Sequence, residues 1–134
     1  MLPESFLIMK EKLYILIAER DPFMQNILKS SLEGLFEIEF VEDGMEVFEK
    51  VIQQTPDVVV LEVLLPTLDG FQVCEKLKSN PSTRKIPVLF FTLILAEERA
   101  KQAGADGFLL KPFRKEAFIS TIESLVVYSL KREE

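Results

Sequence analysis

Short apolar runs alternate with amphipathic stretches along most of this chain. Leu13–Ala18 is apolar throughout, Val58–Leu65 is apolar except for Glu62, and Pro87–Thr92 and Gly107–Leu110 are shorter runs of the same kind. Such runs predict strands of a parallel sheet, buried on both faces. Phe36-Glu37-Ile38-Glu39-Phe40 alternates at period two, which suits a strand nearer a sheet edge. Helical spacing fills the intervals. Phe23, Ile27, Leu28 and Leu32 follow Asp21-Pro22, a helix start in which Asp accepts from free N–H groups and Pro takes the first helical position. Asp43-Gly44 leads into Val47, Phe48, Val51 and Ile52, and Asp69-Gly70 into Phe71, Val73, Cys74 and Leu77. Ala96–Ala103 predicts a short helix stopped by Gly104, and Lys115–Lys131 a long one with Phe118, Ile122, Leu125 and Val126 on one face.

Five strands separated by five helices give (βα)5. Strands joined by helices pair in parallel through right-handed crossovers. The simplest outcome is an α/β three-layer sandwich of flavodoxin-like type with a five-stranded sheet of order 2-1-3-4-5. Its pocket lies outside the carboxyl ends of the first and third strands. That edge collects Glu19-Arg20-Asp21, Glu62, Thr92 and Lys111-Pro112. A carboxylate inside an apolar run is costly unless it is paired, so Glu62 is expected at a strand end facing this pocket. A carboxylate, a hydroxyl and an ammonium converging there suit an anionic phosphoryl group.

Composition narrows the chemistry. The 134 residues are 48% hydrophobic, enough for one domain with a real core. A net charge of −6 disfavours non-specific binding to nucleic acid or anionic membranes. No 18-residue apolar stretch exists, so no membrane span is expected. The chain has no His, which removes imidazole bases and imidazole metal sites. Its single Cys, Cys74, reads as a core thiol and fits a reducing cytoplasm. Residues 1–11 read as an N-terminal extension, with Phe6-Leu7-Ile8 as a candidate docking peptide, 12–131 as the domain and 132–134 as a tail, with no output domain attached.

The segments Ile15–Pro22, Pro56–Phe71 and Ala103–Phe113 resemble, in order, the receiver domain of two-component response regulators. The resemblance implies an Asp on the third strand that accepts phosphate from a histidine kinase, and an acidic pair after the first strand that holds Mg²⁺. It also implies a Thr or Ser and a Lys that contact the phosphoryl group, and an aromatic residue on the fifth strand that reports the state. Here Thr92 and Lys111 match the phosphoryl contacts and Phe108 the aromatic switch. The Lys111-Pro112 bond is expected to be cis, as the family's is. Glu62 stands at the phosphoacceptor position. Glu19 is an acceptable first member of the acidic pair, but Arg20 replaces the second, a direct metal ligand, with a cation. The segment from Thr92 to Gly104 is shorter than is usual in the family.

Two of these departures bear on one reaction. Phosphoryl transfer depends on in-line positioning and on Mg²⁺ neutralising charge. Glu is one methylene longer than Asp, which displaces the oxygen. Glu19 and Glu62 contribute −2 and Arg20 and Lys111 +2, so the pocket sums to zero without metal, Asp21 being left aside as a helix cap. The expectation is therefore a stand-alone, phosphorylation-independent interaction module, not an enzyme. Glu62 is expected to pair with Lys111, Arg20 or both and to accept from Thr92. No cofactor or metal is expected; Mg²⁺, on Glu19 and Glu62, belongs to the alternative, a conventional phosphoacceptor served by a histidine kinase. Partners are a histidine kinase or a downstream effector, or a second copy through the fourth helix, fifth strand and fifth helix. Leu93-Ile94-Leu95, apolar where the family's loop is polar, is expected to fold onto the core in preference to forming an exposed patch.

Overall fold

Each apolar run contains a strand, but the run Val58–Leu65 leaves the sheet after Leu61. A computed structural model describes residues 12–132. The expectations for residues 1–11, including Phe6-Leu7-Ile8, and for the tail beyond Arg132 lie outside the described residues. Strands β1 (Leu13–Ala18), β2 (Phe36–Val41), β3 (Val58–Leu61), β4 (Val88–Thr92) and β5 (Gly107–Leu110) alternate with helices. These are α1 (Pro22–Leu32), α2 (Gly44–Gln53), α3 (Gly70–Ser79), α4 (Glu97–Gln102) and α5 (Lys115–Arg132). All strand pairs are parallel and the order is β2-β1-β3-β4-β5, as the pattern predicts.

Alternation along the strands divides the core in two. Leu16, Ala18, Val59, Leu61, Val88 and Phe90 face α2, α3 and α4, meeting Val47, Val51, Val73, Cys74, Leu77 and Ala100. Their neighbours Ile15, Ile17, Val58, Val60, Leu89 and Phe91 face α1 and α5, meeting Leu28, Leu32, Phe118, Ile122 and Leu125. This is the period-two geometry of a strand covered on both sides.

Helix starts are set by side-chain caps at the same end of the molecule. Asp21 accepts from the Phe23 N–H and Asp43 from the Met45 N–H, while Asp69 and Gln72 form a reciprocal capping box. α4 has no side-chain cap on Ala96 and runs for only six residues, shorter than the expected Ala96–Ala103. α5 continues one residue past the expected Lys131.

The expectation for Leu93-Ile94-Leu95 is corrected. Leu93 is 73% and Leu95 85% exposed, and Ile94 alone packs against the core. Past the end of β4 Thr92 points in, Leu93 out, Ile94 in and Leu95 out. Leu93 and Ile94 form a bend just past β4, which turns one of the three side chains to the core and leaves its two neighbours in solvent.

Candidate functional site

The sheet delivers four polar side chains to one edge. Backbone hydrogen bonds carry the ladder one step past each strand, from Glu19 N to Val41 O, from Glu62 N to Ala18 O and from Lys111 N to Thr92 O. Glu19, Glu62 and Thr92 are all buried, at 2%, 8% and 0% exposure. α3 begins hard against this point: a Cβ on Gly70 would stand 2.4 Å from the Glu62 carbonyl oxygen.

Lys111 organises the cluster. Its Nζ donates to Glu19 Oε1 at 2.7 Å and to Glu62 Oε2 at 2.7 Å. It also lies 5.6 Å from the centre of the Phe91 ring, within cation–π range. Burial alone would lower the Lys111 pKa, but its hydrogen bonds to Glu19 and Glu62 outweigh that and hold the ammonium above its ordinary range. Thr92 Oγ1 donates to Glu62 Oε1 through a short hydrogen bond and itself accepts from the Ile94 N–H. Glu62 Oε1 further accepts from the Val63 N–H at 2.8 Å. Glu19 Oε2 accepts from the Asp21 N–H at 3.1 Å. Every carboxylate oxygen of the pair thus has a donor.

The expected partners of Glu62 are therefore met by Lys111 and Thr92, but not by Arg20. Arg20 is exposed, and among the described residues it makes no ion pair. A residue next to an inward strand-end residue points the other way, and a long cation keeps its head in water. The zero charge sum is corrected with it: two carboxylates and one ammonium leave the buried cluster at −1. Asp21 faces α1 as its cap. Phe108 is half-buried and packs against the core face under α4. The Lys111-Pro112 bond is cis. Cys74 is buried, and burial pushes its thiol up to about 12, which makes it an inert core group. Among the described residues no three His, Cys, Asp or Glu side chains gather as a metal site. The backbone donors at Val63 and Leu64 and the aromatic floor at Phe91 are absent from the sequence reading. Gly70, the first helical residue beside the cluster, was the available signal of a close approach.

Residues 15–123 match the family model of the response regulator receiver domain. The chain belongs to the response regulator receiver family. It is 36% identical over 114 residues to the response regulator MprA of Mycobacterium leprae, covering 84% of this chain and 50% of that protein. The chain thus spans about half the length of the curated relatives it matches. Among solved structures it resembles the receiver domain of a signal transduction histidine kinase from Syntrophus aciditrophicus, with 32% identity and a TM-score of 0.78, over 85% of this chain and 89% of that one. The receiver domain of the sensor histidine kinase PA1611 from Pseudomonas aeruginosa shares the fold at 24% identity and a TM-score of 0.78, over 86% and 98% of the two chains. That receiver holds a magnesium ion in its active-site cleft. Glu19, Arg20, Glu62, Thr92 and Lys111 all lie within the matched residues.

Proposed function

We propose that this receiver works as a phosphorylation-independent, non-enzymatic interaction module in two-component signalling, with Glu62 as a permanent internal ligand of Lys111. The observation that carries this reading is the closed ion cluster. Lys111 bridges Glu19 and Glu62, and Thr92 is already committed to Glu62. The Glu62 carboxylate occupies part of the space that a phosphoryl group would take and holds the same two donors, as a weak mimic with less charge and fewer acceptors than phosphate.

The donor set fits Mg²⁺ poorly. A small hard cation needs near-octahedral oxygen ligation. Here the two inward carboxylates have donors on all four oxygens, Asp21 is turned to its helix and Arg20, turned to solvent, adds no carboxylate. The module therefore works without a metal, in the cytoplasm, where its partner is a kinase or downstream effector that reads the surface of the domain. No described helix is long and apolar enough to cross a membrane.

Incubation with acetyl phosphate and Mg²⁺, followed by intact-mass measurement, tests the reading. The wild type is expected to stay unmodified, and the Glu62→Asp, Arg20→Asp double variant to gain one phosphoryl mass. Tight Mg²⁺ binding and a phosphoryl adduct on the wild type would establish a conventional phosphoacceptor instead.

A further inference from the structure

A surface groove lies away from the ion cluster, between α2 and the end of α3. Its volume is about 710 Å³, and it is walled on one side by Met45, Phe48, Val51 and Ile52 of α2 and on the other by Lys76 and Ser79 of α3 and the turn 80–83 that follows it. Ile52 is 82% and Met45 46% exposed, and together they form a contiguous apolar patch on one wall of the groove. Met45, Phe48 and Ile52 stand at i, i+3 and i+7, one stripe along the helix. Val47 and Val51 bury the inward face of α2 and Phe48 packs partly against the core, which leaves Met45 and Ile52 as the apolar side chains turned to solvent. Lys76 is exposed and makes no ion pair among the described residues.

A helix suited to this groove carries an apolar stripe flanked by carboxylates. α2 is itself such a helix: Glu46 and Glu49 are exposed beside Met45, Phe48 and Ile52. We propose that the α2–α3 groove is a self-association site, in which a second copy of the chain lays its α2 antiparallel into the groove. In a two-fold interface each patch meets itself, so every pair is made twice. α2 and α3 both run from the carboxyl edge of the sheet, and Lys76 sits in the last turns of α3. An antiparallel α2 therefore brings its acidic first turns to Lys76 of the partner subunit, and the reverse. These paired opposite charges offset part of the repulsion between two chains of net charge −6. This inference goes beyond the proposed function and stands or falls separately, since neither Mg²⁺ nor phosphate enters it.

Sedimentation velocity of the full chain over a concentration series tests it, with circular dichroism to confirm that each variant is folded. The wild type is expected to dimerise reversibly. Ile52→Glu, a change at a side chain exposed in the single chain, is expected to abolish the dimer. Lys76→Glu is expected to weaken it by roughly two- to thirtyfold, the range for an exposed ion pair lost twice across the two-fold axis. Adding Glu46→Lys and Glu49→Lys to Lys76→Glu is expected to restore it. A wild type monomeric at every concentration overturns the proposal. So does a dimer indifferent to Ile52→Glu and lost with Leu110→Glu, which would put the contact on β5.

Discussion

At the scale of single residues, Lys111 is the counterion of two buried glutamates, and removing it is the most damaging change available at the site. Lys111→Met keeps the volume but leaves Glu19 and Glu62 facing each other without an ammonium. Breaking a buried pair in this way costs about 3–5 kcal/mol, which urea unfolding at neutral pH will read. Thr92→Val keeps the shape of the strand end but strips a donor from Glu62 and an acceptor from the Ile94 N–H. Its expected cost is about 1–3 kcal/mol by the same measurement, the range for an orphaned buried polar group. Arg20→Ala is expected to fall within about ±0.5 kcal/mol, because the side chain is exposed and unpaired among the described residues. A large loss for Arg20→Ala would mean that the guanidinium does enter the cluster. The contrast also explains what the sequence could reveal. Glu62, Thr92 and Lys111 were legible because strand ends in a parallel sheet project to one edge whatever the side chain. The outward turn of Arg20 follows from the same alternation, one step past the inward Glu19, and a charge count over the whole edge ignores that step.

Among the elements, the junction of β3 and α3 holds the site in shape. Gly70 lets the first turn of α3 lie against the Glu62 carbonyl, and its N–H donates to Val63 O at 2.8 Å. A methyl group there would meet backbone at 2.4 Å and the Phe90 ring at 3.0 Å, contacts that cannot be relieved by turning a flexible side chain. Gly70→Ala is expected to cost roughly 1–3 kcal/mol, as overpacking does. It should also shift the backbone amide resonances of Glu62, Val63 and Thr92 in a heteronuclear correlation spectrum. A variant with unchanged stability and spectrum would show that the close approach is not needed. Most elements with strong periodicity were legible to within a residue or two, because continuous apolar runs and Asp caps leave few alternatives, but β3 stops at Leu61 although its apolar run continues to Leu65. α4 and the segment before it were not. That stretch combines apolar residues with no capping side chain, and its course is decided by the bend at Leu93 and Ile94.

Across the whole molecule, the strand order follows from crossover chirality and was legible from the element sequence alone, whereas proton linkage follows from burial and was not. Three buried or partly buried groups hold their protons more tightly in the folded chain than in an unfolded one. Burial raises Cys74 from 9.0 to about 12. Burial and the hydrogen bond to Glu39 raise Tyr14 well above 10.0. Lys111 is raised above 10.5 against the opposing effect of its own burial, by Glu19 and Glu62. In each case the folded state binds more protons than the unfolded state once the pH passes the ordinary value, so stability falls as pH rises. The contribution is complete below 9.0, where all three groups are protonated in both states, and declines upward from there, Cys74 first. The urea midpoint is therefore expected to drop steadily above that pH. Cys74→Ala should delay the onset of the drop towards the Tyr14 and Lys111 range, and Lys111→Met should remove its last part. A midpoint that holds level or climbs through this alkaline range would mean that the buried thiol, phenol and ammonium are not the groups that set the limit.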